Sequence, residues 1–278
     1  PQKRATAIAF AYAGQGVGIM LLAPAAQLAI EYYQWRLAYQ LAGYGFLAIL
    51  LISILIPWNR LTKSFKASKK CSNFPFNSLD SKTNISLIEA LKLPEFWGFF
   101  TIFFTTAISI FSISLQTVAY LISVGFNKFD AAFAFGTVGM VTIIGITFTG
   151  ILAEKFPPYI VASMSYGLTF IGISTLAILQ FFPNWFLLTT FVISFGLSAG
   201  ARGPIITAQM AKIFAGKGLA SIFGATSVGN GCGAAIGAFL SGVIFDITGG
   251  YNFAFLMSFC FSLIGLSIFW LIPAIKNN

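Results

Sequence analysis

Arg202 is the residue of this sequence best suited to hold a ligand, because it places a full positive charge inside a long apolar run. A charged side chain at the centre of a membrane helix costs about 2.5–3.5 kcal/mol even on the gentler insertion scale, so something must offset it. Arg202 stands ten residues before Lys212. At ~1.5 Å of rise per residue that is about 15 Å along a helix, too deep for easy escape to water. Asp130, Glu154 and Asp246 sit at the ends of apolar runs and Glu95 opens one, so no acid within a run is at hand as counter-ion. A guanidinium without a fixed carboxylate offers its planar fork of donors to the carboxylate or phosphate of a ligand. The alternative is a structural arginine, bonded to carbonyls freed near Gly203-Pro204 or to an acid on helices not in this sequence.

Polar side chains also recur in step with a helix. Ser109, Ser112, Gln116 and Tyr120 fall at i, i+3, i+7 and i+11 in one apolar run, and Ser194, Ser198, Arg202 and Gln209 share a face in another. Each stripe is a candidate substrate surface; the alternative is hydroxyls bonded to their own helix backbone. Gln15 and Asn230, polar among glycines, either line a path or bridge helices. Histidine is absent, and Cys71, Cys232 and Cys260 have no metal-ligand spacing. With no nucleophile motif and no paired intramembrane carboxylates either, the expectation is no enzyme, no metal and no cofactor.

The elements that must position these residues are membrane helices. Of 278 residues 58% are hydrophobic and 8% charged, and the mean hydropathy is +0.88; a soluble domain is about 25% charged. Runs of ~20 apolar residues predict spans near 7–30, 37–57, 96–124, 131–152, 159–182, 185–210, 218–245 and 253–274. Both ends then share one side with Lys3, Arg4, Lys155, Lys212, Lys217, Lys276 and the seven basic residues of 58–94, 13 in all, against only Arg36 and Lys128 on the other. The positive-inside rule makes the 13-residue side cytoplasmic. The net charge of +9 is therefore read as loop charge and not as a nucleic-acid surface. Within the loop 58–94, Ser86 and Glu89 have the spacing of a capping box, which predicts a short surface helix before Pro94.

An internal repeat organises the chain. Ala13-Gly14-Gln15-Gly16-Val17-Gly18 aligns with Val228-Gly229-Asn230-Gly231-Cys232-Gly233 at an offset of 215, and each copy runs on through an acid (Glu31, Asp246) to a span ending in Ile-Pro. Similar hydrophobic halves joined by a basic loop are a common build of secondary transporters. Gly14 and Gly18, and Gly229, Gly233 and Gly237, fall on single helical faces, where small residues let backbones approach. Such a face is either a gating surface or static packing. Pro24 is placed to kink its helix, since neighbouring helices can satisfy the freed carbonyl.

These features together resemble the major facilitator superfamily over essentially the whole length. Arg4-Ala5-Thr6-Ala7 through Gly14 and Gly18, then Pro24 and Trp35-Arg36, resembles the family's fifth span and the start of its sixth. Gly150-Ile151-Leu152-Ala153-Glu154-Lys155 is similar to the G-x-L-A-D-R/K cytoplasmic loop motif, with Gly150, Glu154 and Lys155 in its key places. Asp246-Ile247-Thr248-Gly249-Gly250-Tyr251, with Ala254-Phe255, resembles an ending found in the monocarboxylate-porter and oxalate-formate branch.

The resemblance implies an all-α helical bundle with about eight of twelve helices present. Residues 1–57 would be the last two helices of an N-terminal six-helix half, 58–94 the cytoplasmic central loop and 95–278 the C-terminal half. About four helices are then expected to precede Pro1. It implies a monomeric secondary transporter in the plasma (inner) membrane, moving a small organic anion by alternating access, with a proton as candidate coupling ion. The first and fourth helices of the C-terminal half would line the cavity, making Arg202, Gln116, Tyr120, Ser198 and Ser112 the expected substrate residues. Gly14, Gly18, Pro24, Gly229, Gly233 and Asn230 are the expected gating and packing set. Where carboxylate carriers of the branch place an arginine, four residues before Gly150, this chain has Ile146. That keeps a drug or neutral-solute exporter, or a non-transporting fragment, as alternatives.

Overall fold

A computed structural model describes residues 4–55, 85–214, 216 and 218–272. Cys71, Lys217 and most of the expected central loop lie outside the described residues, as do Pro273, Lys276 and the side chains of Gln15 and Glu154. Ten α-helices and no strand are found among the described residues: α1 (Arg4–Leu55), α2 (Leu87–Ala90), α3 (Pro94–Ser114), α4 (Thr117–Ser123), α5 (Lys128–Lys155), α6 (Pro158–Leu179), α7 (Trp185–Ala199), α8 (Arg202–Ile213), α9 (Leu219–Thr248) and α10 (Asn252–Leu271). Seven stretches among the described residues are long and apolar enough to cross a bilayer. Exposed Ile171, Ile193, Phe239, Phe253 and Leu271 give these helices the outward apolar faces that lipid requires. The chain is an integral, multi-pass membrane protein.

Local chemistry sets the helix ends. The Asn127 side chain accepts from the Phe129 N–H at 3.3 Å and that of Asn184 from the Phe186 N–H at 3.1 Å, capping α5 and α7. Pro94 and Pro158 open α3 and α6, where a missing N–H costs nothing. Gly249 ends α9 at φ 68°, a left-handed conformation that glycine adopts without steric cost. The capping box is closed on both sides: Ser86 N–H donates to Glu89 Oε2 at 2.8 Å, and Glu89 N–H to Ser86 Oγ at 3.3 Å. The Ser86 backbone and hydroxyl bonds together hold the Glu89 carboxyl below its ordinary value.

Two expected spans are interrupted. The run 185–210 divides at Gly200 and Ala201, because Pro204 has no N–H for the Gly200 carbonyl and its ring crowds that group. Ala201 N–H turns instead to the Ser198 carbonyl at 3.3 Å. The run 96–124 divides at Leu115 and Gln116. There the Thr117 hydroxyl donates to the Ile113 carbonyl at 2.8 Å, a back-bond of the kind that bends helices.

The chain forms two compact units, Pro1–Pro24 with Asn84–Asn278 and Ala25–Thr83. In the first, α3 packs on α9 and α10, while α7 packs on α5 and α6. One core gathers Phe99, Tyr166, Ile206, Met210, Phe214 and Phe269; a second gathers Ile113, Tyr120, Leu121, Leu176, Phe191 and Tyr251. In the second unit, Gln34 leaves the helical region (φ 62°, ψ 159°) and breaks α1 within the gap expected between spans 7–30 and 37–57. Beyond it the Arg36 guanidinium carbon lies 5.2 Å from the Trp35 ring centroid.

Candidate functional site

The interruption at Gly200 and Ala201 makes Arg202 the first residue of α8 and turns its side chain inward, where only 1% of the residue stays exposed. Its partners come from α6. Arg202 Nη2 donates to Thr169 Oγ1, and the guanidinium carbon sits 4.0 Å from the centroid of the Tyr166 ring. Thr169 Oγ1 in turn donates to the Ser165 carbonyl at 3.1 Å, and the Tyr166 hydroxyl shares a 2.8 Å hydrogen bond with Thr106 Oγ1 on α3. Both α6 residues are thus locked from behind. A cation over an aromatic face gains about 2 kcal/mol or more when desolvated, which offsets part of the burial cost.

The offset is incomplete. Arg202 Nε and Nη1 are buried with no hydrogen-bond partner among the described residues. Arg202 is among the residues that line a cavity of about 480 Å³ within the first unit. That volume is in the range of small-molecule sites. The walls are mostly apolar, with Phe103, Phe111, Phe135, Phe195 and Phe223 contributing, and Ile19 of α1 closes part of one side. A few polar groups interrupt them: Thr106, Ser114, Thr142, Ser227 and Asn230. Arg202 thus stands in the lining of an apolar hollow with few polar groups, while its unmet Nε and Nη1 are covered by protein, so an anion would reach them only if the side chain or its cover shifted.

Of the residues singled out in the sequence, Arg202 and Asn230 come together in this lining. The other four expected substrate residues lie outside it, each with a bond of its own. Ser112 Oγ donates to the Ser109 carbonyl at 3.1 Å and Ser198 Oγ to the Phe195 carbonyl at 2.9 Å. Gln116 Nε2 donates to Ser241 Oγ at 3.5 Å. The Tyr120 hydroxyl donates to the Leu176 carbonyl, with its ring edge-to-face against Tyr251 and Phe255 at 5.2 and 5.0 Å. Ser109, from the same stripe, joins Ser258 and Ser262 in a buried hydroxyl cluster at 2.9 and 2.6 Å that ties α3 to α10.

The glycine positions divide similarly. A methyl on Gly229 would stand 2.9 Å from the Phe100 carbonyl oxygen and one on Gly237 2.7 Å from that of Ile108, while one on Gly233 would overlap the Phe104 carbonyl. Here α9 and α3 touch backbone to backbone. In α1, Gly14 and Gly18 face open space, and Gly16 makes the close approach, to the Gly139 carbonyl of α5. Pro24 packs over Gly136 of α5, beside the Met20 carbonyl that its ring deprives of a donor. Gly150 is buried near the end of α5 and Lys155 is in its last turn, favourably placed for the helix dipole.

Tyr166, Thr169 and Thr106 were not singled out in the sequence. A signal was there: Tyr166 and Thr169 lie one turn apart in the apolar run 159–182.

A family model of the Major Facilitator Superfamily matches residues 1–199 and 143–277. Monocarboxylate transporter 12 of Xenopus laevis is 28% identical over 300 residues, covering 100% of this chain and 64% of the relative. The Mus musculus protein of the same name is 26% identical over 283 residues, covering 92% of this chain and 57% of its own. Monocarboxylate transporter 13 of Rattus norvegicus is 24% identical over 294 residues, covering 98% and 60%. The chain thus spans about six-tenths of the length of these relatives.

Proposed function

The chain belongs to the Major Facilitator Superfamily, and from that premise we propose that it serves a secondary transporter of small organic anions, with Arg202 as the anion contact. One observation carries the reading: an arginine 1% exposed, among the lining residues of a cavity, with Nε and Nη1 without a hydrogen-bond partner among the described residues. A cation in that state is costly without an anion, and breaking a buried pair by removing one partner costs about 3–5 kcal/mol. The relatives' printed names favour a carboxylate as the anion. Alternating access would slide α9 along α3, where Gly229, Gly233 and Gly237 bring the two backbones together. On this reading the ends of α5 and α8 that bear Lys155 and Lys212 face the cytoplasm.

A second reading, a neutral-solute exporter, is favoured by Ile146, which is fully buried under Gly200 and brings no charge to the site. Equilibrium binding of a labelled carboxylate to wild type, Arg202→Lys and Arg202→Gln separates the two. A charge-assisted bond contributes about 1.5–3 kcal/mol, so affinity should fall roughly ten- to a hundredfold in Arg202→Gln, with Lys between. Unchanged affinity in folded Arg202→Gln would transfer the site to neutral solutes.

A further inference from the structure

Tyr166 carries the Arg202 guanidinium on one face of its ring, so whatever fixes the ring fixes the charge. The ring is fully buried, and its hydroxyl ends against α10 at Gly265. A methyl on Gly265 would overlap that hydroxyl oxygen and would stand 3.1 Å from the ring carbon that bears it and 3.0 Å from Thr105 Oγ1 of α3. We propose that Gly265 is a positioning residue for Arg202. The side chain it lacks is the space in which the Tyr166 hydroxyl reaches Thr106, and the guanidinium lies on the ring held there. This goes beyond the anion reading, because it concerns where the charge is held and applies to either kind of solute.

The socket for Tyr166 is built by α3 and α10. Phe269, one turn after Gly265 on α10, stands edge-to-face with the Tyr166 ring at 6.2 Å. Thr106 of α3 shares the 2.8 Å bond with the hydroxyl. The ring is thus held at its face by Arg202, beside it by Phe269 and at its tip by Thr106. A rigid ring cannot bend away from a methyl at its tip; it swings as a whole, and the guanidinium loses its seat. Register comes from the buried hydroxyl cluster, in which Ser258 and Ser262 of α10 meet Ser109 of α3 at 2.9 and 2.6 Å. Ser109 lies one turn from Thr106 and Ser262 one turn from Gly265, so the cluster brings the gap in α10 level with the Thr106 bond.

The test is a double-mutant cycle on the purified chain in detergent, read by thermal unfolding and by phenylglyoxal labelling of each arginine, mapped by mass spectrometry. Arg36 is exposed and serves as internal standard; in the wild type it should react while Arg202 stays protected. Gly265→Ala should lower the midpoint by about 2–8 °C, the overpacking cost less the helix propensity that alanine returns, and raise Arg202 labelling severalfold. Tyr166→Phe removes the overlapped oxygen, and the contacts then left, at 3.0 and 3.1 Å, need little give. In that background Gly265→Ala should cost less than half as much in midpoint and leave Arg202 labelling as in Tyr166→Phe alone. Gly237→Ala is the control for general loosening, because its methyl would stand 2.7 Å from the Ile108 carbonyl oxygen and away from the socket. It should lower the midpoint and leave Arg202 protected. Should Gly265→Ala not fold, recovery of folded protein in the double variant supports the proposal, and a double variant that also fails to fold overturns it. Additive midpoints, Arg202 labelling unchanged in Gly265→Ala, or an equal rise in Gly237→Ala would overturn it too.

Discussion

Replacing Gly233 by alanine should loosen the fold through a single methyl group. Its Cβ would overlap the Phe104 carbonyl oxygen and stand 3.0 Å from the Ala107 Cβ, and neither can rotate aside because one is backbone and the other has no further torsion. Overpacking of this kind costs about 1–3 kcal/mol. The clash is with backbone, so the upper end applies, and the better helix propensity of alanine returns about 1 kcal/mol. The net loss is then about 2 kcal/mol, or about 4–8 °C in unfolding midpoint at 2–4 °C per kcal/mol. Gly231→Ala is the matched control, since a methyl there meets nothing within 4 Å; it should gain up to about 1 kcal/mol from propensity alone. Thermal unfolding of both variants in the same detergent, followed by intrinsic fluorescence, reads the difference. A Gly233→Ala midpoint at or above that of Gly231→Ala would refute the reasoning, showing that α9 and α3 have room between them.

Tyr166→Phe keeps the aromatic face under Arg202 and Tyr166→Leu removes it, so the Leu variant should unfold at a temperature lower by the 0.5–2 kcal/mol or so of a cation–π contact; equal midpoints would mean that the ring does not support the charge. Lys128 and Lys155 stand at opposite ends of α5, so in a chain without other cysteines Lys128→Cys should react with an impermeant thiol reagent on intact cells and Lys155→Cys should not. The reverse pattern would invert the orientation drawn from the loop charges.

The apolar runs made the helices legible to within a few residues, because lipid demands whole turns of apolar surface and caps such as Asn127 and Asn184 mark their starts. The gap left around residues 31–36 coincides with the break at Gln34. Arg202 was legible as a candidate because its cost in a span does not depend on its neighbours. Its partners were not. Tyr166 and Thr169 reach it from a helix more than thirty residues away in sequence, and nothing in their own spacing says which neighbour they meet. Stripes are one-helix patterns, and the interruptions at Leu115 and Gly200 lie inside both of them. Gly16 illustrates the same limit, because alternate small residues in Ala13 to Gly18 offer several faces and only packing against Gly139 selects one.

The central claim, that Arg202 holds the anion, is tested most directly by an experimental structure of the protein saturated with 4-bromobenzoate, located by the anomalous signal of its bromine. The account predicts bromine among Phe135, Phe195 and Phe223, with a carboxylate oxygen about 2.7–2.9 Å from a guanidinium nitrogen, as charge-assisted bonds require. A carboxylate bound elsewhere, with Arg202 Nε and Nη1 satisfied by protein carbonyls, would contradict it.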